Sequence, residues 1–299
     1  MFSIQLVDSV QRSARLVTHL GAIALLALLA GCEGDVTLDM TTELPADPNI
    51  TQVLANVRGL EFRTSGGGTE TLEFTDSQQL DLMSYARDSD ALRMFTSEEL
   101  PEGSYTGVRL LFDEDQDDAV VSVAGTGGGD FPLTVAEGDY ASLNLEFEDN
   151  ESESESFTLM LDLRQSLSFD DDDDEYTFTP VLRAVRTEDI SRIDGDVSVT
   201  CPAGDSLNAG AVYLFQGNDV TPDDIDGTGV EPFATAPVFA SNNDSSFFYS
   251  LRILPEGDYT VAVTCIGNDE DAGTNEDLEF RNVVNVELDS NEVQTLDLP

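Results

Sequence analysis

Lysine and tryptophan are absent from this 299-residue chain, histidine occurs once and cysteine three times. Each shortage closes off chemistry. The one histidine, His19, lies in the first thirty-one residues, so none remains after them. Imidazole triads, histidine-ligated zinc and imidazole acid–base catalysis are therefore excluded downstream of residue 31. Without tryptophan, the largest aromatic surface for stacking a sugar is missing. The 13 basic residues, all arginine, face 60 acids, for a formal net charge of −47. Such a surface repels phosphate, which argues against nucleic acid as a partner. It gains nothing from anionic lipid headgroups either. The acids are spread along the chain, which favours solubility and salt tolerance as their role, because the Debye length falls to about 3 Å at 1 M salt. Divalent-cation binding is the second reading. Hydrophobic residues make up 40% and fall in alternating runs, which indicates a folded body rather than a disordered one.

Residues 1–31 read as a cleaved targeting segment. Arg12 and Arg15 precede an apolar run from Gly21 to Ala30, too short to span a bilayer core of about 30 Å. The run ends in Leu29-Ala30-Gly31-Cys32. Those four residues resemble the lipobox of bacterial lipoproteins at every position. The resemblance implies cleavage before Cys32 and lipidation of its thiol, with a diacylglyceryl group and an N-acyl chain. Each buried methylene contributes about 0.8 kcal/mol, so several acyl chains hold firmly where one holds weakly. An ordinary secretory signal with Cys32 a free thiol, and an uncleaved anchor, are the alternatives. Glu33 stands where Asp often signals inner-membrane retention in enteric bacteria, so the expectation leans to the outer membrane, on its periplasmic face or at the cell surface.

With Cys32 lipidated, Cys201 and Cys265 remain. Export places them in an oxidising compartment, where a disulfide is expected. Val197, Val199 and Cys201 share one parity, as do Tyr259, Val261, Val263 and Cys265. This puts both cysteines on apolar strand faces. Two separately buried thiols are the alternative.

Period-two alternation dominates the chain. Leu143, Leu145 and Phe147 show it, as do Phe157, Leu159, Leu161 and Leu163, then Phe247, Tyr249, Leu251 and Ile253. Short alternating strands between turn signals indicate an all-β fold of two β-sandwich-like domains. Residues 32–42 read as a lipidated tether, and Asp189–Gly195 as a boundary between domains at 36–190 and 191–299. Asp76–Phe95, without a clean period, is the place for a short helix or long excursion. Gly66–Gly68 and Gly127–Gly129 read as hairpin tips or flexible loops. Both lack the strand–loop–helix setting and lysine of a phosphate cradle. One turn recurs: Leu100-Pro101-Glu102-Gly103-Ser104-Tyr105-Thr106 and Leu254-Pro255-Glu256-Gly257-Asp258-Tyr259-Thr260. Proline fixes φ at the first corner, glycine accepts a positive φ, and the tyrosine enters the next strand facing the core. Convergent turn chemistry is preferred to duplication as its origin.

Val57-Arg58-Gly59-Leu60-Glu61, Leu80-Asp81-Leu82-Met83, Leu100–Tyr105 with Val108-Arg109-Leu110, Asp162–Leu167 and Thr179–Arg183 follow one another along the first domain. In that order they resemble the motifs of a family of bacterial lipoprotein domains known as domain of unknown function 4382. Thr42-Glu43-Leu44-Pro45 departs from the family's Thr-Asp-Ala-Pro. The resemblance covers about 36–190 and implies no activity. The second domain resembles transthyretin-like or carboxypeptidase-regulatory-like sandwiches at the level of fold, which does not give function.

No catalytic residue is expected. The densest acidic run, Asp170–Asp174 with Glu175, lacks the glycine of an EF-hand loop. Asp170, Asp172 and Asp174 are its weak metal candidates, for loosely bound calcium only. Asp223–Gly227 and Asn268–Gly273 are incomplete as calcium loops. Asp113–Asp118 and Asp149–Glu155 read as exposed acidic loops. Arg109, Arg183 and Arg186 are expected to pair with acids on sheet faces, in preference to orienting an acidic ligand. The chain therefore reads as a lipid-anchored, non-enzymatic cell-envelope module. Its partners would be the membrane, through Cys32, and an envelope protein or polysaccharide. Calcium-dependent adhesion or polysaccharide binding is the alternative. A histidine-independent hydrolase is the third reading, since paired carboxylates are plentiful but none is singled out and no nucleophile elbow occurs.

Overall fold

The computed structural model describes residues 33–86, 90–113, 116–147, 154–241 and 246–299. Cys32, the residue expected to carry lipid, lies outside them.

The strands of the first part of the chain are β1 (Glu33–Glu43), β2 (Ile50–Thr64), β3 (Thr69–Asp81), β4 (Leu92–Pro101), β5 (Gly103–Phe112) and β6 (Val120–Val123). There follow β7 (Gly129–Val135), β8 (Ala141–Phe147), β9 (Ser154–Asp162), β10 (Leu167–Asp170), β11 (Glu175–Phe178) and β12 (Leu182–Arg186). A single helical turn, α1 (Leu163–Ser166), joins β9 to β10. The remainder holds β13 (Ser191–Val197), β14 (Ala211–Gln216), β15 (Ala234–Pro237), β16 (Phe239–Ala240), β17 (Phe247–Leu254), β18 (Gly257–Thr264), β19 (Phe280–Leu288) and β20 (Val293–Thr295). The fold is all-β, as the alternation predicts.

Four sheets result. The first runs β12-β9-β1-β4, and the second β10-β11-β7-β6-β2-β5-β8 with β3 on β2. The third is β16-β17-β13-β20 and the fourth β15-β14-β18-β19. The inward faces of the first two sheets share one core that includes Leu38, Leu60, Tyr105, Leu145 and Leu159. The third and fourth share another with Ile193, Leu214, Leu251, Tyr259 and Val263. Among the described residues, no helix is long and apolar enough to cross a membrane.

Two expectations need correction and one holds. Residues 33–42 are no tether. They form most of β1, an interior strand of the first sheet, parallel to β9 and antiparallel to β4. Val36, Leu38 and Met40 are wholly buried, so the apolar alternation of this segment takes it into the core. The segment Asp76–Phe95 does hold a short helix, a 3-10 turn at Leu82–Tyr85 capped by the Asp81 side chain, between the end of β3 and the start of β4. Cys201 and Cys265 are bonded to each other, with Cα atoms 5.8 Å apart. Both, however, lie just beyond strand ends, where two loops meet, rather than on facing strand positions.

The repeated turn has one job in both places. Between β4 and β5 it carries the chain from the first sheet to the second; between β17 and β18, from the third to the fourth. The Tyr105 hydroxyl donates to the Pro101 carbonyl at 2.7 Å, and the Tyr259 hydroxyl to that of Pro255 at 2.9 Å. Gly103 and Gly257 have φ of +143° and +158°, which a side chain resists. Each is a tyrosine corner, a device that fixes a chain reversal in β-sandwiches.

A buried polar seam fastens the two sheet pairs. Asp162 accepts from the Gln165 backbone and side chain at the start of α1, and from the Thr235 backbone and hydroxyl of β15. Arg183 of β12 lies 3.8 Å from Asp162 and donates to the carbonyls of Ile253 and Arg252. Arg252 in turn reaches the Thr42 carbonyl and Glu43. Burial pushes the Glu43 carboxyl above its ordinary value, against the pull of Arg252. Arg109 pairs with Glu61 and Glu137, and Arg186 with Glu155 and Asp189. The arginines thus satisfy acids at the sheets, as expected, and Arg183 does so at the seam.

Candidate functional site: a carboxylate cluster on the fourth sheet

The outer face of the fourth sheet presents Tyr213 and Phe215, and Phe280 packs edge-on against both rings. Two long loops, 217–233 and 265–279, cover this face through Ile225, Val220, Ala272 and Leu278. These loops hold the acidic segments 223–227 and 268–273, each incomplete alone. Folding brings them together. The Tyr213 hydroxyl donates to Glu270 Oε2 at 2.5 Å, and the Ile225 amide donates to Glu270 Oε1 at 3.2 Å. The Glu276 amide donates to Asp224 Oδ2 at 2.5 Å, and the Asn275 side chain to Asp226 Oδ2 at 2.6 Å.

One carboxylate oxygen from each of Asp224, Glu270 and Glu276 lies within 4.8 Å of the other two. Asp224 and Glu270 are buried, at 3% and 5% exposure. Glu276 Oε2 is shielded from solvent and accepts no hydrogen bond. Burial, opposed by the bonds from Tyr213 and Ile225, pushes Glu270 from 4.5 up to about 7. Burial also raises Asp224. The unfolded chain therefore releases the Glu270 proton first, and the stability this group contributes falls as pH rises from about 4.5 to about 7. The Arg164 guanidinium of α1 is 1% exposed and donates to the Gly267 carbonyl beside the cluster. Chemically, three converging carboxylates suit a hard divalent cation, which takes oxygen ligands at 2.3–2.6 Å if it is calcium.

The sequence candidates fare differently. Asp170–Asp174 form the exposed turn of the β10–β11 hairpin, where Asp170 Oδ1 accepts from the Asp172 and Asp173 amides. The structure does not gather Asp170, Asp172 and Asp174 into a ligand set, because a tight turn spends its carboxylate on its own backbone. Asp271 instead reaches back to the Phe169 amide at 3.0 Å. In the sequence the two segments 223–227 and 268–273 are separately incomplete as calcium loops, about fifty residues apart, and Glu276 lies outside both. The one available signal was that two incomplete acidic loops occur in the same domain.

Residues 33–180 match the model of the family described as Domain of unknown function (DUF4382). The match begins within β1, so the strand read as a tether belongs to the domain. It ends at Pro180, before β12, rather than at residue 190. No curated protein matches the sequence. Among solved structures, the fimbrial anchor protein Mfa2 from Porphyromonas gingivalis is 12% identical, with 80% of each chain covered and a TM-score of 0.18. A candidate cell adhesion protein from Bacteroides fragilis is 8% identical, with 88% of this chain and 91% of that one covered and a TM-score of 0.21. Overlaps this loose carry no weight for function.

Proposed function

We propose that this chain is a lipid-anchored cell-envelope protein acting as a non-enzymatic binding or assembly module. One observation carries the reading: Leu29-Ala30-Gly31-Cys32 stands immediately before the first strand of a folded all-β body. The lack of histidine after residue 31 supports the non-enzymatic part. In this reading residues 33–190 and 191–299 are two domains, the second a transthyretin-like sandwich, and the anchor lies in the outer membrane. The lipid supplies the attachment that so acidic a surface cannot. The Cys32→Ala protein is expected to lose acylation and leave the membrane fraction for the soluble one; continued membrane retention overturns the anchor.

A second reading, calcium-dependent adhesion or polysaccharide binding, is favoured by the Asp224–Glu270–Glu276 cluster. A cation that binds only the folded state raises the melting temperature by mass action. Calorimetry at millimolar calcium is expected to show heat and a melting shift, both lost in Glu276→Gln. Neither signal in the unmodified protein sinks the cation reading.

A further inference from the structure

The corrected role of residues 33–42 bears on how the protein meets its membrane. Glu33 directly follows Cys32 in sequence and already pairs with Pro101 of β4. Gly34 pairs with Leu100, and Asp35 with Ser154 of β9. A Cβ on Gly34 would stand 1.9 Å from the Phe147 ring, so the backbone is packed tight by its second residue. There is no slack between the lipid-bearing cysteine and an interior strand.

We infer that the first sheet pair stands directly on the bilayer, with the end that carries the Leu100–Tyr105 corner against the lipid headgroups and residues 191–299 held away from them. This rests on the lipid-anchor reading and adds an orientation to it.

Strand registers define that end. Gly103 lies opposite Phe147, and Thr64 opposite Tyr105. The Ser65 amide donates to the Ser104 carbonyl at 2.8 Å, which brings the Gly66–Gly68 hairpin tip to the same end as Glu33. Ser65, Gly66, Gly67, Gly68 and Glu102 are exposed there. Small or charged, they suit the headgroup layer and not the acyl interior, where unpaired backbone groups and charges are costly. The other end of β1 is Glu43, and there Arg252 of β17 binds it and the Thr42 carbonyl. Eleven residues of strand, at about 3.3 Å each, put roughly 35 Å between the two ends. The polar seam then stops the distal half from folding back. The carboxylate cluster belongs to that distal half, so it is presented to whatever lies beyond the membrane surface.

The absence of tryptophan makes a single introduced indole an unambiguous reporter. The full lipidated protein, as Ser65→Trp or Phe248→Trp, is reconstituted in phosphatidylcholine vesicles doped with headgroup-nitroxide phosphatidylcholine. Emission from the S65W protein is expected to be strongly lost and that from F248W retained. A long Gly/Ser linker inserted between Cys32 and Glu33 is expected to abolish the difference, because such linkers behave as flexible coils. In protein whose intact mass carries the lipid, equal quenching at the two positions, or stronger quenching of F248W, overturns the orientation alone. A mass without lipid overturns the anchor and this inference together.

Discussion

The two tyrosine corners offer a comparison within one molecule. Leu100–Thr106 and Leu254–Thr260 share a buried leucine, a glycine at positive φ and a buried tyrosine bonded to the carbonyl of the proline four residues back. Both carry the chain between the facing sheets of a pair. Their surroundings differ. Tyr105 sits in the larger core, edge-on to Phe62 and Phe147. Tyr259 sits in the smaller one, near Phe233, with Arg183 bound to the strand just before the corner and a disulfide closing the sandwich. The same seven-residue device thus suffices where apolar burial is ample, and is accompanied by covalent and ionic supports where it is not. Small cores commonly need such additions.

The disulfide is the strongest test of that contrast. The double change Cys201→Ser with Cys265→Ser opens a 64-residue connection, and the chain-entropy relation predicts a loss of about 4 kcal/mol. Hydrogen exchange is expected to quicken in β13, β14, β17 and β18 and to stay slow in β1 and β2. Equal acceleration in both regions would mean that the two sheet pairs unfold as one unit, and the contrast would fail.

Arg183 comes next. Its guanidinium serves Asp162 and the carbonyls of Arg252 and Ile253, so Arg183→Met leaves a buried carboxylate short of a counter-charge. Removing one partner of a buried pair typically costs about 3 kcal/mol. The denaturation midpoint is expected to fall, with new protease sensitivity near the second corner and none near the first. A midpoint within error of the parent would show that Thr235 and Gln165 alone satisfy Asp162.

These residues also mark how far the sequence was legible. Strand alternation is local, so the all-β class and both corners were readable from spacing alone. Residues 33–42 were readable too, since Val36, Leu38 and Met40 alternate with Asp35, Thr37 and Asp39, the period of a strand and not of a tether. Choosing which of 60 acids go inside is a different problem. Asp162 lies in an alternating run as if on a polar face, yet it is 1% exposed because Thr235, 73 residues away, bonds to it. Asp224 and Glu270 meet only because two loops fold over the same sheet face. Partners that distant leave no periodic trace.

The smallest effect tests the corners against each other. Tyr105→Phe and Tyr259→Phe each remove one hydroxyl bond to a proline carbonyl and keep the ring, so each is expected to cost about 1 kcal/mol. Burial pushes both phenols from 10 up to about 12. A phenol with a raised folded value contributes its stability below the unfolded value and loses it as pH rises from about 10 to about 12. Each phenylalanine variant should therefore lose part of the parent's alkaline decline in melting temperature, and by a similar amount. Unequal declines would show that identical bonds do unequal duty, with the Arg183 buttress carrying the second corner and the tyrosine carrying the first.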